Sequence, residues 1–236
     1  RGNVSVSGGK FDGVICYGEP ACQFITGGSY VTEFTEDYLV YGYQLEANTD
    51  TALYDANWTG RREVVTINDN GSVVEFANEN DITVGTLTYK RNFGTAKNQS
   101  FYVPFEVPMS RIKDDFNVYY ISNMHAYDNN EDAVADSLVL EAFKLPANAV
   151  LKPNYPYIIC AKVANTMMNL EFNEATLYEA EENSIECSSV FLKFEIQGVY
   201  SRRVGPEYEG TYLLSGGTWK TMLADTNLNA FRLGMT

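Results

Sequence analysis

Val6-Ser7-Gly8-Gly9-Lys10-Phe11 returns 19 residues later (25 minus 6) as Ile25-Thr26-Gly27-Gly28-Ser29-Tyr30. Each copy reads β-branched, hydroxyl, Gly-Gly, polar, aromatic. A short strand, a corner that glycine permits and an inward aromatic ring are what one coil of a β-solenoid needs. Coils stack because one or two alone cannot bury a core. The competing reading is a pair of ordinary Gly-Gly turns. The chain opens with Arg1-Gly2-Asn3-Val4-Ser5-Val6, already strand-like and without an initiator Met. This is the expectation for a piece of a longer protein whose targeting or anchoring segment lies elsewhere.

Beyond the repeat the sequence alternates between strands and turns. Residues 49–63 are polar and turn-rich and read as a linker or an irregular crossing. Val64–Ile67 and Ser72–Phe76 flank Asn70-Gly71 and predict a hairpin. Strands are predicted at Ile82–Tyr89, Phe101–Phe105, Val118–Ile121, Leu138–Phe143, Tyr157–Val163, Met168–Phe172, Phe191–Ile196, Tyr212–Leu214 and Ala230–Leu233. Pro104 places its strand at an edge or a bulge. Pro108–Phe116 is the best helix candidate, with Ser110 as N-cap. Short strands at steady spacing predict an antiparallel β-sandwich-like domain. The expected organisation is all-β: the end of a parallel β-solenoid over residues 1–48, a linker over 49–63, and the sandwich-like module over 64–236.

The chain has 236 residues, enough for one large domain or two small ones. Its 17 Tyr and 13 Phe suit pleated, half-buried surfaces. The formal net charge is −14, from 17 Lys+Arg against 31 Asp+Glu. Nucleic-acid binding is driven by cations displacing counterions, so this charge argues against it. It argues equally against anionic membrane surfaces. It fits a solvated acidic surface, or one that holds cations such as calcium. No apolar stretch approaches the roughly 20 residues of a membrane helix, so membrane insertion by this chain is not expected.

Four cysteines, Cys16, Cys22, Cys160 and Cys187, form no C-x-x-C pair, and the single His125 has none nearby, so zinc is not expected. Cys16 and Cys22 could close a small loop in an oxidising compartment. Cys160 sits in an apolar run and reads as a buried, inert thiol.

The Gly-Gly copies, followed by Tyr38-Leu39-Val40-Tyr41-Gly42-Tyr43, resemble the ending of right-handed parallel β-helix repeats, in which such coils finish in a Y-x-x-x-G-Y segment. A second resemblance covers roughly residues 82–236. It rests on Leu87-Thr88-Tyr89-Lys90-Arg91-Asn92-Phe93, Ser100–Pro108, Pro156-Tyr157-Ile158-Ile159, Ala180–Ser189, Tyr212–Gly217 and Ala230-Phe231-Arg232, in that order. The order is similar to the C-terminal module of large secreted surface proteins of gut Bacteroides. Those proteins often carry BspA-like leucine-rich repeats or β-helix repeats upstream. The resemblance implies an all-β module at the end of an exported protein, engaged in adhesion or host-surface contact, with no catalytic residues.

Asp128, Asn130, Asp132 and Asp136 fall at positions 1, 3, 5 and 9 of an acidic loop, the alternation by which a calcium loop wraps a hard cation. Ala133 stands where a turn-permitting Gly would, and Val139 where a bidentate Glu would; both weaken such a site. The other reading is a solvated loop between strands. His125 lacks a nucleophile in an identifiable context and reads as a strand residue. Carboxylate pairs are inevitable among 31 acids and indicate no hydrolase without geometry. Trp58 and Trp219 are candidates for stacking on a sugar face, against the reading that each plugs its own core.

The expected function is therefore a non-catalytic binding or adhesion module with a scaffolding role in a larger bacterial protein, secreted or displayed on the cell surface. Its partner would be a host or matrix protein or a glycan. The alternative is an accessory carbohydrate-binding domain of a polysaccharide-degrading enzyme whose catalytic coils lie outside this chain.

Overall fold

The computed structural model describes residues 5–12, 24–71, 73, 76–130, 137–188, 193–205, 208, 211–223 and 225–236. The regular elements among them are strands, with short 3-10 turns such as Glu36–Tyr38 and Met109–Arg111. The chain is all-β, as expected. It divides into two compact units: Arg1–Val65 with Asn78–Leu87 and Phe172–Glu179, and Thr66–Ala77 with Thr88–Glu171 and Ala180–Thr236.

The first unit opens with β1 (Lys10–Phe11) and β2 (Ser29–Tyr30), then β3 (Tyr43–Asn48) and β4 (Leu53–Trp58). They form one sheet in the order β1-β2-β4-β3. β1 and β2 are parallel, with Lys10 opposite Ser29 and Phe11 opposite Tyr30. Val6 and Ile25 form a further parallel bridge. All three pairs keep the 19-residue offset of the sequence repeat, so the two copies lie in register on one another.

The glycines explain why both copies need them. Gly9 and Gly28 occupy the left-handed region at φ +111° and +106°. A Cβ on Gly27 would stand 2.5 Å from the Ser7 carbonyl oxygen. The aromatic positions then meet: the rings of Phe11 and Tyr30 stack at 5.3 Å, and Phe34 meets Tyr30 edge-on at 4.7 Å. Ile25, Tyr30, Leu39 and Ala56 are the buried centre of this unit.

Residues 49–63, expected as a linker, instead hold β4 and the first residues of β5 (Arg61–Asn68). Polar residues do not preclude a strand when alternate positions find partners. Here Asp55 of β4 accepts hydrogen bonds from Ser29 Oγ (2.6 Å) and Asn48 Nδ2 (2.7 Å).

Three long strands contribute residues to both units: β5, β6 (Ile82–Phe93) and, later in the chain, Thr166–Leu177, with β6 central among them. Of the hairpin expected around Asn70-Gly71, Ser72, Val74 and Glu75 lie outside the described residues; β5 pairs with β6, and no strand lies between Asp69 and Asp81 among the described residues. Gly71 does have a positive φ, +85°, as a turn there requires.

The second unit continues with β7 (Asn98–Phe101), β8 (Val107–Pro108), β9 (Phe116–Tyr127), β10 (Ser137–Lys144), β11 (Val150–Leu151) and β12 (Tyr157–Ala161). After β13, the Thr166–Leu177 strand, come β14 (Ser184–Ser188), β15 (Lys193–Val199), β16 (Arg203–Val204), β17 (Tyr212–Ser215), β18 (Thr218–Thr221), β19 (Asn227–Leu228) and β20 (Arg232–Met235). Two larger sheets result, β10-β9-β12-β7 and β14-β15-β20-β17-β18. The helix expected over Pro108–Phe116 is corrected to a single 3-10 turn, Met109–Arg111. Pro108 supplies no side-chain cap, and the chain re-enters a strand at Phe116, where the ring is 2% exposed.

Aromatic residues of several segments that carried the C-terminal resemblance lie in the interior of this unit. Tyr89, Phe93, Phe101, Tyr102, Phe105 and Phe231 are all at most 1% exposed. Burying such a side chain contributes about 1.5–3 kcal/mol. Tyr102 donates to the Glu181 carbonyl and accepts from the Asn183 N–H at 2.8 Å. Gly198 leaves room for its ring, since a Cβ there would stand 2.0 Å from it.

A charged cluster lies within the same interior. Asp69 Oδ2 accepts from the Tyr89 hydroxyl and from Arg232 Nη1, each at 2.6 Å, and Arg91 Nη1 stands 3.5 Å away. Arg91 also donates to the Ser100 carbonyl at 2.8 Å and lies over the Phe93 ring. Burial, and then the Asp69 charge, push the Tyr89 hydroxyl far above its ordinary pKa. These are structural roles: the Tyr89, Arg91 and Arg232 positions of the resemblance share one buried carboxylate.

Candidate functional site

A row of four aromatic residues crosses the sheet β10-β9-β12-β7. Phe143 is opposite Tyr120, Tyr120 opposite Tyr157, and Tyr157 opposite Phe101. Directly paired residues project from the same face. Exposure falls along the row from 48% at Phe143 to 5% at Tyr157 and 0% at Phe101. One end is core and the other is surface. The rings of Phe143 and Tyr120 are near-parallel, 26° apart, with centroids 5.7 Å apart.

A β-bulge sets what stands beside them. Glu141 is opposite Asn123 and Ala142 opposite Ile121, so Ser122 is the extra residue, its Oγ bonded to the Glu141 carbonyl at 3.0 Å. The inserted residue shifts the alternation of β9. Asn123, His125 and Tyr127 thereby share the face of Tyr120, while Ile121 and Met124, 1% and 3% exposed, project to the other. On β10 the same outward face carries Phe143, Glu141 and Val139.

The outward face therefore mixes flat rings with hydrogen-bonding groups. Asn123 Nδ2 lies 3.4 Å from His125 Nε2, and His125 Nε2 lies 3.8 Å from Glu141 Oε2. Tyr127 and Val139 are each 48% exposed. Behind Tyr120, Tyr155 donates to the Ile121 carbonyl at 3.3 Å, and Tyr157 accepts from the Lys152 N–H at 2.9 Å. Burial raises the pKa of both hydroxyls, so they remain protonated donors.

The acidic loop read from the sequence lies where β9 and β10 leave the sheet. Asp128 and Asn130 follow directly on β9, half-buried and exposed respectively. Asp132 and Asp136 lie outside the described residues, as do Cys16 and Cys22. Among the described residues no three His, Cys, Asp or Glu side chains converge as a metal site needs.

Trp58 ends β4 and is 46% exposed. One side of its ring covers Gly42, where a Cβ would stand 2.2 Å from Cζ3, and Tyr43 meets it edge-on at 5.3 Å. Trp219 lies in β18 opposite Leu214 and is half-buried. Each tryptophan thus commits part of its ring to local packing. Cys160 is a free, half-buried thiol in β12.

A cleft of about 390 Å³ at the far end of β10 is lined by Met109, Lys113, Asp114, Phe116 and Lys144–Ala147. Lys113 is occupied by Asp114 at 3.0 Å, and no nucleophile with a base lines the cleft.

The sequence reading missed Phe143, Tyr120 and Tyr127. A signal was present: Leu138, Leu140 and Ala142 are wholly apolar, whereas Val139, Glu141 and Phe143 are mixed. Val139, Glu141 and Phe143 are all exposed, whereas of the apolar series Leu140 is half-buried and Ala142 exposed.

Comparison of the chain with family models, with curated proteins and with solved structures returns no match. The resemblance to secreted Bacteroides surface proteins therefore rests on the sequence motifs alone. Among the described residues no helix is long and apolar enough to cross a membrane.

Proposed function

We propose that this chain is a non-catalytic binding module of a larger bacterial protein, secreted or held at the cell surface, and that it presents the outward face of β9–β10 to its partner. The observation that carries the reading is the Phe143–Tyr120 pair, anchored through Tyr157 to the fully buried Phe101. Rigid strands hold the exposed rings in place, and pre-ordered contacts of that kind lose little entropy on binding. The in-register parallel ladder supports the finer fold reading, in which the first unit is the end of a β-solenoid and acts as a rigid spacer. The second unit is then the sandwich-like module of surface proteins of the BspA-like kind.

The candidate partners are a host or matrix protein or a glycan. The exposed rings of Phe143 and Tyr127 also favour a second context, an accessory carbohydrate-binding domain of a polysaccharide-degrading enzyme. Calcium held by Asp128, Asn130, Asp132 and Asp136 would order the segment that joins β9 to β10. The test is binding of the purified chain to immobilised glycans and matrix proteins, with calcium and with chelator. Selective retention supports the reading, and its loss on chelation implicates the loop. Failure to retain any of them contradicts it.

A further inference from the structure

We infer that the outward face of β9–β10 is a subsite for an extended, uncharged oligosaccharide; this rests on the binding-module reading and names its ligand class. Sugars offer two surfaces at once. Their ring C–H groups present an apolar patch that stacks on aromatic faces, and their hydroxyls both donate and accept hydrogen bonds. The face supplies both counterparts. Phe143, 48% exposed and stacked on the half-buried Tyr120, stands at one end, and Tyr127, 48% exposed, stands at the other. Between them lie an amide, an imidazole and a carboxylate, on Asn123, His125 and Glu141, within 3.4 and 3.8 Å of one another. That set can donate and accept in several directions, as a row of hydroxyls requires.

The geometry also gives a length. Tyr120 and Tyr127 are seven residues apart on one strand, one of the intervening residues being the bulge. At about 3.3 Å per residue the two rings are separated by about 20 Å. A single sugar ring is too short to touch both, so the ligand is a chain.

Charge excludes the acidic sugars. The Glu141 carboxylate is 49% exposed in the middle of the face, and the chain as a whole carries −14. A uronate or sialate would meet like charge at its point of contact. The same carboxylate argues against a protein partner, because interface centres are depleted of acidic residues. An extended peptide would be recognised by backbone pairing along a strand edge, and this face offers side chains instead.

The experiment is titration calorimetry of the whole chain with neutral gluco-, xylo-, manno- and galacto-oligosaccharides long enough to span the face. Oligogalacturonates and matrix proteins serve as comparison ligands. The variants are Phe143→Ala, Tyr127→Ala and, as a control on an exposed residue elsewhere, Val163→Ala. The expected result is binding of at least one neutral series, weakened roughly tenfold by Phe143→Ala and by Tyr127→Ala and unchanged in Val163→Ala. Circular dichroism checks that each variant is folded. Neutral binding that neither aromatic variant weakens would overturn the subsite while leaving a binding module. Binding of oligogalacturonates or a matrix protein alone would overturn the ligand class and leave the module. Binding of none of these ligands would overturn both.

Discussion

Phe143 of β10 and Phe101 of β7 are the two ends of one aromatic row, linked by Tyr120 and Tyr157, yet one is 48% exposed and the other 0%. The row changes role along its length, from holding the sheet to presenting a surface. Truncating each end separates the two roles. Phe101→Ala should lose about 3–5 kcal/mol through the cavity it leaves. Phe143→Ala should lose less than about 1 kcal/mol, because water already reaches that ring. Urea denaturation measures both, and equal losses would mean that Phe143 is a core residue.

The buried carboxylate of Asp69 should be far less tolerant than the acids at the surface. It serves Tyr89 and Arg232 at 2.6 Å and Arg91 at 3.5 Å. Asp69→Ala would leave two guanidinium groups without their anion in a poorly hydrated site, at a cost of about 3–5 kcal/mol. Tyr89→Phe removes one hydrogen bond to a charged group and should cost about 1.5–3 kcal/mol. Denaturant midpoints check the order; an Asp69→Ala protein as stable as the parent would contradict the network.

The parallel ladder predicts a contrast between neighbouring glycines. Gly27→Ala forces a Cβ to 2.5 Å from the Ser7 carbonyl and should cost about 1–3 kcal/mol. It should also speed exchange of the Thr26 amide, which donates to Val6 at 2.8 Å. A Cβ on Gly8 meets nothing within 4 Å, so Gly8→Ala should be tolerated. Hydrogen exchange by mass spectrometry distinguishes them, and equal protection in the two variants would argue against the register.

Asp55 gives a pH signature to the first unit. Hydrogen bonds from Ser29, and then from Asn48, hold its pKa below the ordinary 3.8. A depressed carboxylate stabilises the fold above its unfolded pKa, about 3.9, and loses that contribution as pH falls through the lower folded value. NMR titration of the side-chain carboxyl should find its midpoint below 3.8 and moved upward in Ser29→Ala. A midpoint at or above the ordinary value would contradict the hydrogen bonding.

Much of the fold was legible because local chemistry and tertiary structure agree. Gly9 and Gly28 mark identical corners, and the apolar patterns around Val84, Val118 and Ile159 do form strands. The failures arose where a distant partner decided the outcome. The polar stretch before Arg61 looks like a linker, but Asp55 finds Ser29 and Asn48. The binding face depended on Ser122, because a one-residue bulge decides which side chains of β9 join Tyr120. Nothing local to that sequence fixes a bulge. The tryptophans drew the reading for sugar stacking, whereas Phe143, exposed and stacked on the half-buried Tyr120, was passed over.

The most direct test of the β9–β10 face is amide NMR mapping on the labelled chain with whichever glycan or protein it retains most strongly. The account predicts that the largest shifts fall on Tyr120, Asn123, His125, Glu141 and Phe143. Shifts centred instead on Trp58, on Trp219 or on the cleft beside Lys144 would contradict it.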